Sequence, residues 1–262
     1  MEEFTLRRPE WVIFSTVFLI LLAAESAGRF MCRRTAMDED ARSYFVGVQA
    51  AMLGLLGLLF GFTFSMALER YDARKELIVT EANGIGTALL RAELVDQPQR
   101  SELRRLLRAY VDTRVAFHAT NSHAEHRSVE AASARIHAEL WQHAVKAAER
   151  QPTPTTALLL SALNDVFDLH AMQVAALDNH VPGPVLWMLL VVATFAATIT
   201  GCASSFAKGW SRVPTVGMLL VIAAVSAVIV DLERPRWGMI RTGQVSMLEL
   251  QRSLRQRPPD QP

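Results

Sequence analysis

The sequence predicts an all-α membrane protein with four transmembrane helices and a long helical insert between the second and third of them. Three observations carry this reading. The chain is 51% hydrophobic, and the apolar residues gather in four blocks instead of spreading along amphipathic faces. The blocks reach the roughly 20 residues that a helix needs to cross the hydrocarbon core. Almost all the charge, Lys+Arg 27 against Asp+Glu 26, lies between and beyond them.

The second block is the clearest. No Asp, Glu, Lys or Arg occurs between Arg42 and Glu69, and residues 45–68 read FVGVQAAMLGLLGLLFGFTFSMAL. The third spans 185–206 behind Pro182-Gly183-Pro184, and the fourth spans 213–230 and ends at Asp231. In lipid a backbone must satisfy its own polar groups, so these blocks form helices. The first is shorter: residues 11–24 carry no charge, Glu25 interrupts, and Arg29 follows. Arg7 and Arg8 ahead of it also fit a cleaved signal peptide. The retained helix over about 11–27 is preferred, because Ala24-Glu25-Ser26-Ala27 puts Glu where a cleavage site wants a small residue, and Trp11 and Arg29 suit interfacial anchors.

Four spans place both termini and residues 69–180 on one side of the membrane. Basic residues beside the spans (Arg7, Arg8, Arg70, Arg74, Lys75, Arg234, Arg236, Arg241) outnumber those on the other side (Arg29, Arg33, Arg34, Arg42, Lys208, Arg212). That balance favours a multi-pass inner-membrane protein with cytoplasmic termini and insert. The two cysteines, Cys32 and Cys202, fall near one membrane face. A bridge requires that face to be oxidising; a loop thiol and a helix-packing residue are the preferred reading.

Within 69–180, helix 2 continues to about Leu94, since no breaker precedes Asp96-Gln97-Pro98, and Gly84 and Gly86 are places where it could bend. A further helix starts near Ser101 as N-cap, its apolar stripe being Leu103, Leu106, Leu107, Tyr110, Val111 and Val115. Another covers 128–150, with Ile136, Leu140 and His143/Val145 inward, and another 155–177. Residues 244–257, in a basic tail over 232–262, pattern as an amphipathic helix for the bundle or the membrane surface. The domains expected are thus a helix pair in 1–68, the insert 69–180, a second pair in 181–231, and the tail.

Little in this chain points to catalysis or a cofactor. His123-x-x-His126 is the closest histidine pair, reads as loop, and lacks the third and fourth ligands of a metal site. His170 and His180 flank a helix end and read as solvated or interfacial. No phosphate loop and no nucleophile elbow is present. Arg100, Arg104, Arg105, Arg108 and Arg114 read as a solvated face and not a nucleic-acid surface, because Glu102 and Asp112 interleave with them. On helix 2, Gly47, Ala51, Gly54, Gly57, Gly61 and Ser65 keep small residues near one face. Periodicity alone favours close helix packing; the functional alternative is a pore-facing helix, with Leu58 and Phe62 one turn apart as hydrophobic rings. After the fourth span, Asp231, Glu233 and Arg234 are expected to pair locally, with Pro235 and Gly238 turning the chain.

The run Gly61-Phe62-Thr63-Phe64-Ser65-Met66-Ala67-Leu68-Glu69-Arg70-Tyr71, the later Glu81-Ala82-Asn83, and Asp231-Leu232-Glu233-Arg234-Pro235-Arg236-x-Gly238-x-Ile240 resemble the functionally uncharacterised bacterial bestrophin-like domain family. The likeness covers most of the chain in layout. More distantly similar are the bestrophins, pentameric anion channels with cytosolic termini and a hydrophobic neck on the second helix. The resemblance implies a homo-oligomer, a pentamer by analogy, in the lipid bilayer, with inorganic anions as the permeant class. Phe62 aligns with a neck phenylalanine, and Leu58 and Gly54 with the two preceding neck positions, where bestrophins carry larger residues. The acidic run of a calcium clasp is reduced here to Asp231 and Glu233, so no calcium gating of that kind is expected. The reading is an oligomeric anion channel lined by helix 2. Its rival is a non-conducting sensor or scaffold whose insert binds a cytoplasmic partner.

Overall fold

A computed structural model describes residues 10–33, 39–119, 123–205, 212–234 and 243–256, leaving aside the side chains of 118, 119 and 123–126. Among the described residues every regular element is helical: α1 (Glu10–Cys32), α2 (Glu39–Ala92), α3 (Gln99–Ala119), α4 (His123–Arg150), α5 (Pro154–Asp178), α6 (Gly183–Ser205), α7 (Val213–Leu232) and α8 (Val245–Gln256). Four are apolar and long enough to cross a bilayer: α1, the N-terminal part of α2, α6 and α7. The chain forms two compact units, one of residues 1–71 and 180–241, the other of 72–179 and 242–262. Helix α2 contributes to both. Its 54 residues run without a break through Gly84 and Gly86.

In the first unit, α1, α6 and α7 pack around Leu21, Leu189, Ala196, Leu219 and Ile229. The α1–α6 crossing is backbone to backbone. A Cβ on Gly28 would overlap the Thr198 carbonyl oxygen, and a Cβ on Gly201 would overlap the Glu25 carbonyl oxygen. This approach explains how Glu25, which the sequence reads as an interruption, sits inside α1: α6 covers it, leaving it 2% exposed. Arg29 one turn on lies 3.9 Å from its carboxylate and donates to the Ser204 carbonyl. Just beyond the crossing Cys32 and Cys202 are joined by a disulfide with Cα atoms 5.2 Å apart. The preferred reading of two unpaired cysteines is therefore corrected: the glycine crossing brings the helix ends to bridging distance.

In the second unit the α3 stripe read from the sequence is the core, with Leu103, Leu106, Leu107, Tyr110 and Val111 buried against Leu140, Ala144, Leu159 and Leu163. Three local expectations change. Helix α3 begins at Gln99, so Ser101 lies in its first turn, where its hydroxyl donates to Gln97 and Pro98. Helix α4 begins at His123, so the histidine pair is helical in backbone. On α4 Leu140 is buried as expected, together with Ser133, Ala144 and Ala147, while Ile136, His143 and Val145 are only half-buried. A Thr153–Thr156 capping box starts α5. The tail helix α8 packs on this bundle through Met247 and Leu254, and Asp112 of α3 meets Gln251 and Arg255.

Candidate functional site

The proposed pore residues lie along one side of α2. Its opposite stripe, Leu56, Phe60, Thr63 and Ala67, is buried at i, i+4, i+7 and i+11, and Gln49 donates to the Thr200 hydroxyl of α6 at 3.2 Å. The side carrying Gly54, Leu58, Gly61 and Phe62 has no cover among the described residues. Nothing lies within 4 Å of a Cβ built on Gly47, Gly54, Gly57 or Gly61, and Leu58 and Phe62 are 55% and 65% exposed. Among the described residues no helix of the same chain packs closely on these glycines, the role that periodicity alone favours for them. Gly28 and Gly201 take that role. Their signal was present as Ala24-x-x-x-Gly28 and Ala197-x-x-x-Gly201, a small residue every fourth position, but it is weaker than the run on α2.

The residues after α7 do more than pair locally. Asp231, Glu233 and Arg234 are buried. One oxygen of Glu233 accepts the Val181 N–H at 2.6 Å, just ahead of α6, and lies 3.7 Å from the Arg70 guanidinium of α2. This carboxylate therefore joins the segment that leads into α6, the end of α7 and the position on α2 two turns beyond Phe62. Glu233 thus reaches partners outside the local run, while Asp231 and Arg234 stay electrostatically paired as expected. Pro235 and Gly238 lie outside the described residues, as does Lys208. Among the described residues no group of three or more His, Cys, Asp or Glu is placed to hold a metal ion.

A third constellation escaped the sequence reading. Glu81 of α2 and Arg114 of α3 are fully buried and form an ion pair at 2.8 Å. Arg114 is thus a core residue and no part of a solvated face. The same Glu81 oxygen accepts the Tyr110 hydroxyl at 2.7 Å. Arg114 donates to Gln173 of α5 and lies 4.6 Å over the Phe117 ring. His170, expected to be solvated at a helix end, sits within α5 with Nδ1 3.2 Å from the Tyr110 oxygen. Since that hydroxyl gives its proton to Glu81, its oxygen accepts from His170, which places the imidazole proton on Nδ1. Burial, then the Glu81 charge, holds the Tyr110 hydroxyl well above its ordinary pKa, so it stays a donor. The available signal was Glu81 in Glu-Ala-Asn and Tyr110 within the stripe.

Fold and site together define an all-helical membrane protein, with four bilayer-length helices and a second helical unit. The chain belongs to the bestrophin-like domain family, whose profile matches residues 17–246. Its fold is similar to crystal structures of a bacterial bestrophin homolog from Klebsiella pneumoniae. One, a leucine-to-threonine variant, superposes with a TM-score of 0.66 at 14% identity, covering 94% of this chain and 97% of that one. A tyrosine-to-alanine variant gives 0.64 at 14%, covering 91% and 97%. A crystal structure described as a membrane protein, in a serine-to-alanine variant, gives 0.65 at 14%, covering 97% and 99%. No curated protein is significantly similar.

Proposed function

We propose that copies of this chain assemble into a ring and conduct inorganic anions along an axis lined by α2, with Leu58 and Phe62 as its narrowest hydrophobic rings. The observation that carries this reading is the uncovered side of α2. A helix that buries one stripe in its own unit and leaves Gly54, Leu58, Gly61 and Phe62 open is built to meet something outside the chain. A closed ring of identical copies is the ordinary symmetric solution, and a pentamer is the analogy the family supplies. Glycines at 54, 57 and 61 leave width between the bulky rings. No acidic side chain lies in 43–68, where a cation pore would carry one. Glu233, tied to Arg70, holds the far end of this segment.

The disulfide supports an orientation. Disulfides persist in oxidising compartments, so Cys32–Cys202 belongs on the outer face of an inner membrane, with the second unit and the termini in the cytoplasm. The test is halide flux into liposomes holding purified protein, wild type beside Phe62→Ala. The expectation is flux above empty liposomes, changed at least several-fold by the substitution. Absence of flux from folded, oriented protein, or a Phe62→Ala variant identical to wild type, would overturn the pore reading in favour of a non-conducting scaffold.

A further inference from the structure

The conduction reading makes no use of a cluster in the second unit that joins four helices, with Glu81, Tyr110, Arg114 and Gln173 buried and two histidines half-buried. Glu81 comes from α2, Tyr110 and Arg114 from α3, His137 from α4, and His170 and Gln173 from α5. The two imidazoles face each other with ring centroids 5.1 Å apart. His137 also lies 4.8 Å from the Tyr110 ring and 4.2 Å from the Phe167 ring. Among the described residues, the charged and titratable groups set against them are Arg114, Glu81, Tyr110 and each other; α5 otherwise offers Phe167 and the neutral Gln173. Glu81 is already engaged by Arg114 and Tyr110, so a second cation here meets a neutralised carboxylate.

We propose that this cluster is an acid-sensitive clasp: the bundle of α3, α4, α5 and the adjoining part of α2 closes around two uncharged imidazoles, and protonation of His137 and His170 opens it. Desolvation, then the Arg114 guanidinium, lowers the pKa of His137 to about 4. Desolvation, then Arg114 and His137, lowers that of His170 to about 3. The sign follows from linkage. Both histidines bind protons more readily when the bundle is open, so closure is fully favoured above the ordinary histidine pKa of about 6.5. It weakens as pH falls from there toward the closed-state values. Between pH 7.5 and 6.0 each histidine favours the open form by about fourfold, and the pair by about tenfold or slightly more. Ordinary carboxylates, titrating near 4, contribute little in this window.

The test is amide hydrogen exchange on the full-length protein in lipid nanodiscs at pH 7.5 and 6.0, corrected for the intrinsic pH dependence of exchange. The probes are the core amides of Leu103, Leu107, Leu140 and Leu163. Protection is expected to fall about tenfold at the lower pH. His137→Asn and His170→Asn should each retain about a fourfold response, and His143→Asn, which alters a histidine outside the cluster, should retain all of it. Protection that is unchanged between the two pH values in the wild type overturns the proposal, and that measurement decides even if the cluster variants do not fold. A full response surviving in both His137→Asn and His170→Asn also overturns it.

Discussion

Removing the guanidinium of Arg114 tests how the second unit is held together. In Arg114→Met the methionine replaces much of the lost volume but supplies no donor. Glu81, with no exposure, would keep only the Tyr110 hydroxyl on one oxygen, and its other oxygen already has no hydrogen-bond partner. Breaking one side of a buried ion pair costs about 3–5 kcal/mol, since the remaining charge stays desolvated. For a domain of this size that lowers Tm by about 10–20 °C. The assay is thermal unfolding by circular dichroism in detergent, with Glu81→Gln and the double variant alongside. The double variant leaves no uncompensated charge, so it should recover about half of the loss or more. A single variant that melts within about 3 °C of wild type, or a double variant that loses the sum of both singles, would refute the claim that charge pairing governs this core.

Two further outcomes follow from the first unit. Gly28→Val should abolish monodisperse folded protein on size exclusion, because its side chain meets the Thr198 backbone and nothing flexible can yield. Gly57→Val, with open space at its Cβ, should preserve the helical content of the protomer. Labelling of intact cells with a membrane-impermeant maleimide should modify Cys32 and Cys202 only after reduction. Labelling without reductant would refute the bridge, and labelling only after permeabilisation would refute the orientation.

The four apolar helices and the α3 core were legible because both depend on short-range pattern: an uncharged run long enough for a bilayer, and apolar side chains at i, i+3, i+4 and i+7. Partner identity was not legible. Periodicity says that Gly54, Leu58 and Gly61 share a face, but it does not say whether the same chain covers that face, and none of the described residues does. Conversely, Gly28 and Gly201 are isolated in sequence and matter only because α1 and α6 cross there. Charge misled in the same way. Arg114 lies in a run of arginines that reads as a solvated face, yet α3 turns it inward to meet Glu81 of α2. Met247, which α8 buries in the bundle, was hidden because an amphipathic helix reads alike against protein and against lipid.

The α1–α6 crossing also constrains how the protein is made. Helix α1 leaves the ribosome before α6, and the residues that cover Glu25 and oxidise with Cys32 arrive much later, the two cysteines being 170 residues apart. At about 5–20 residues per second, α1 waits on the order of 10–30 s for its partner. Throughout that interval Glu25 has only its neighbours Arg29 and Ser26 to offset its charge, and Cys32 is an unprotected thiol. Biogenesis thus passes through a stage in which α1 must be held by insertion machinery or lipid, and the disulfide records that α6 has arrived.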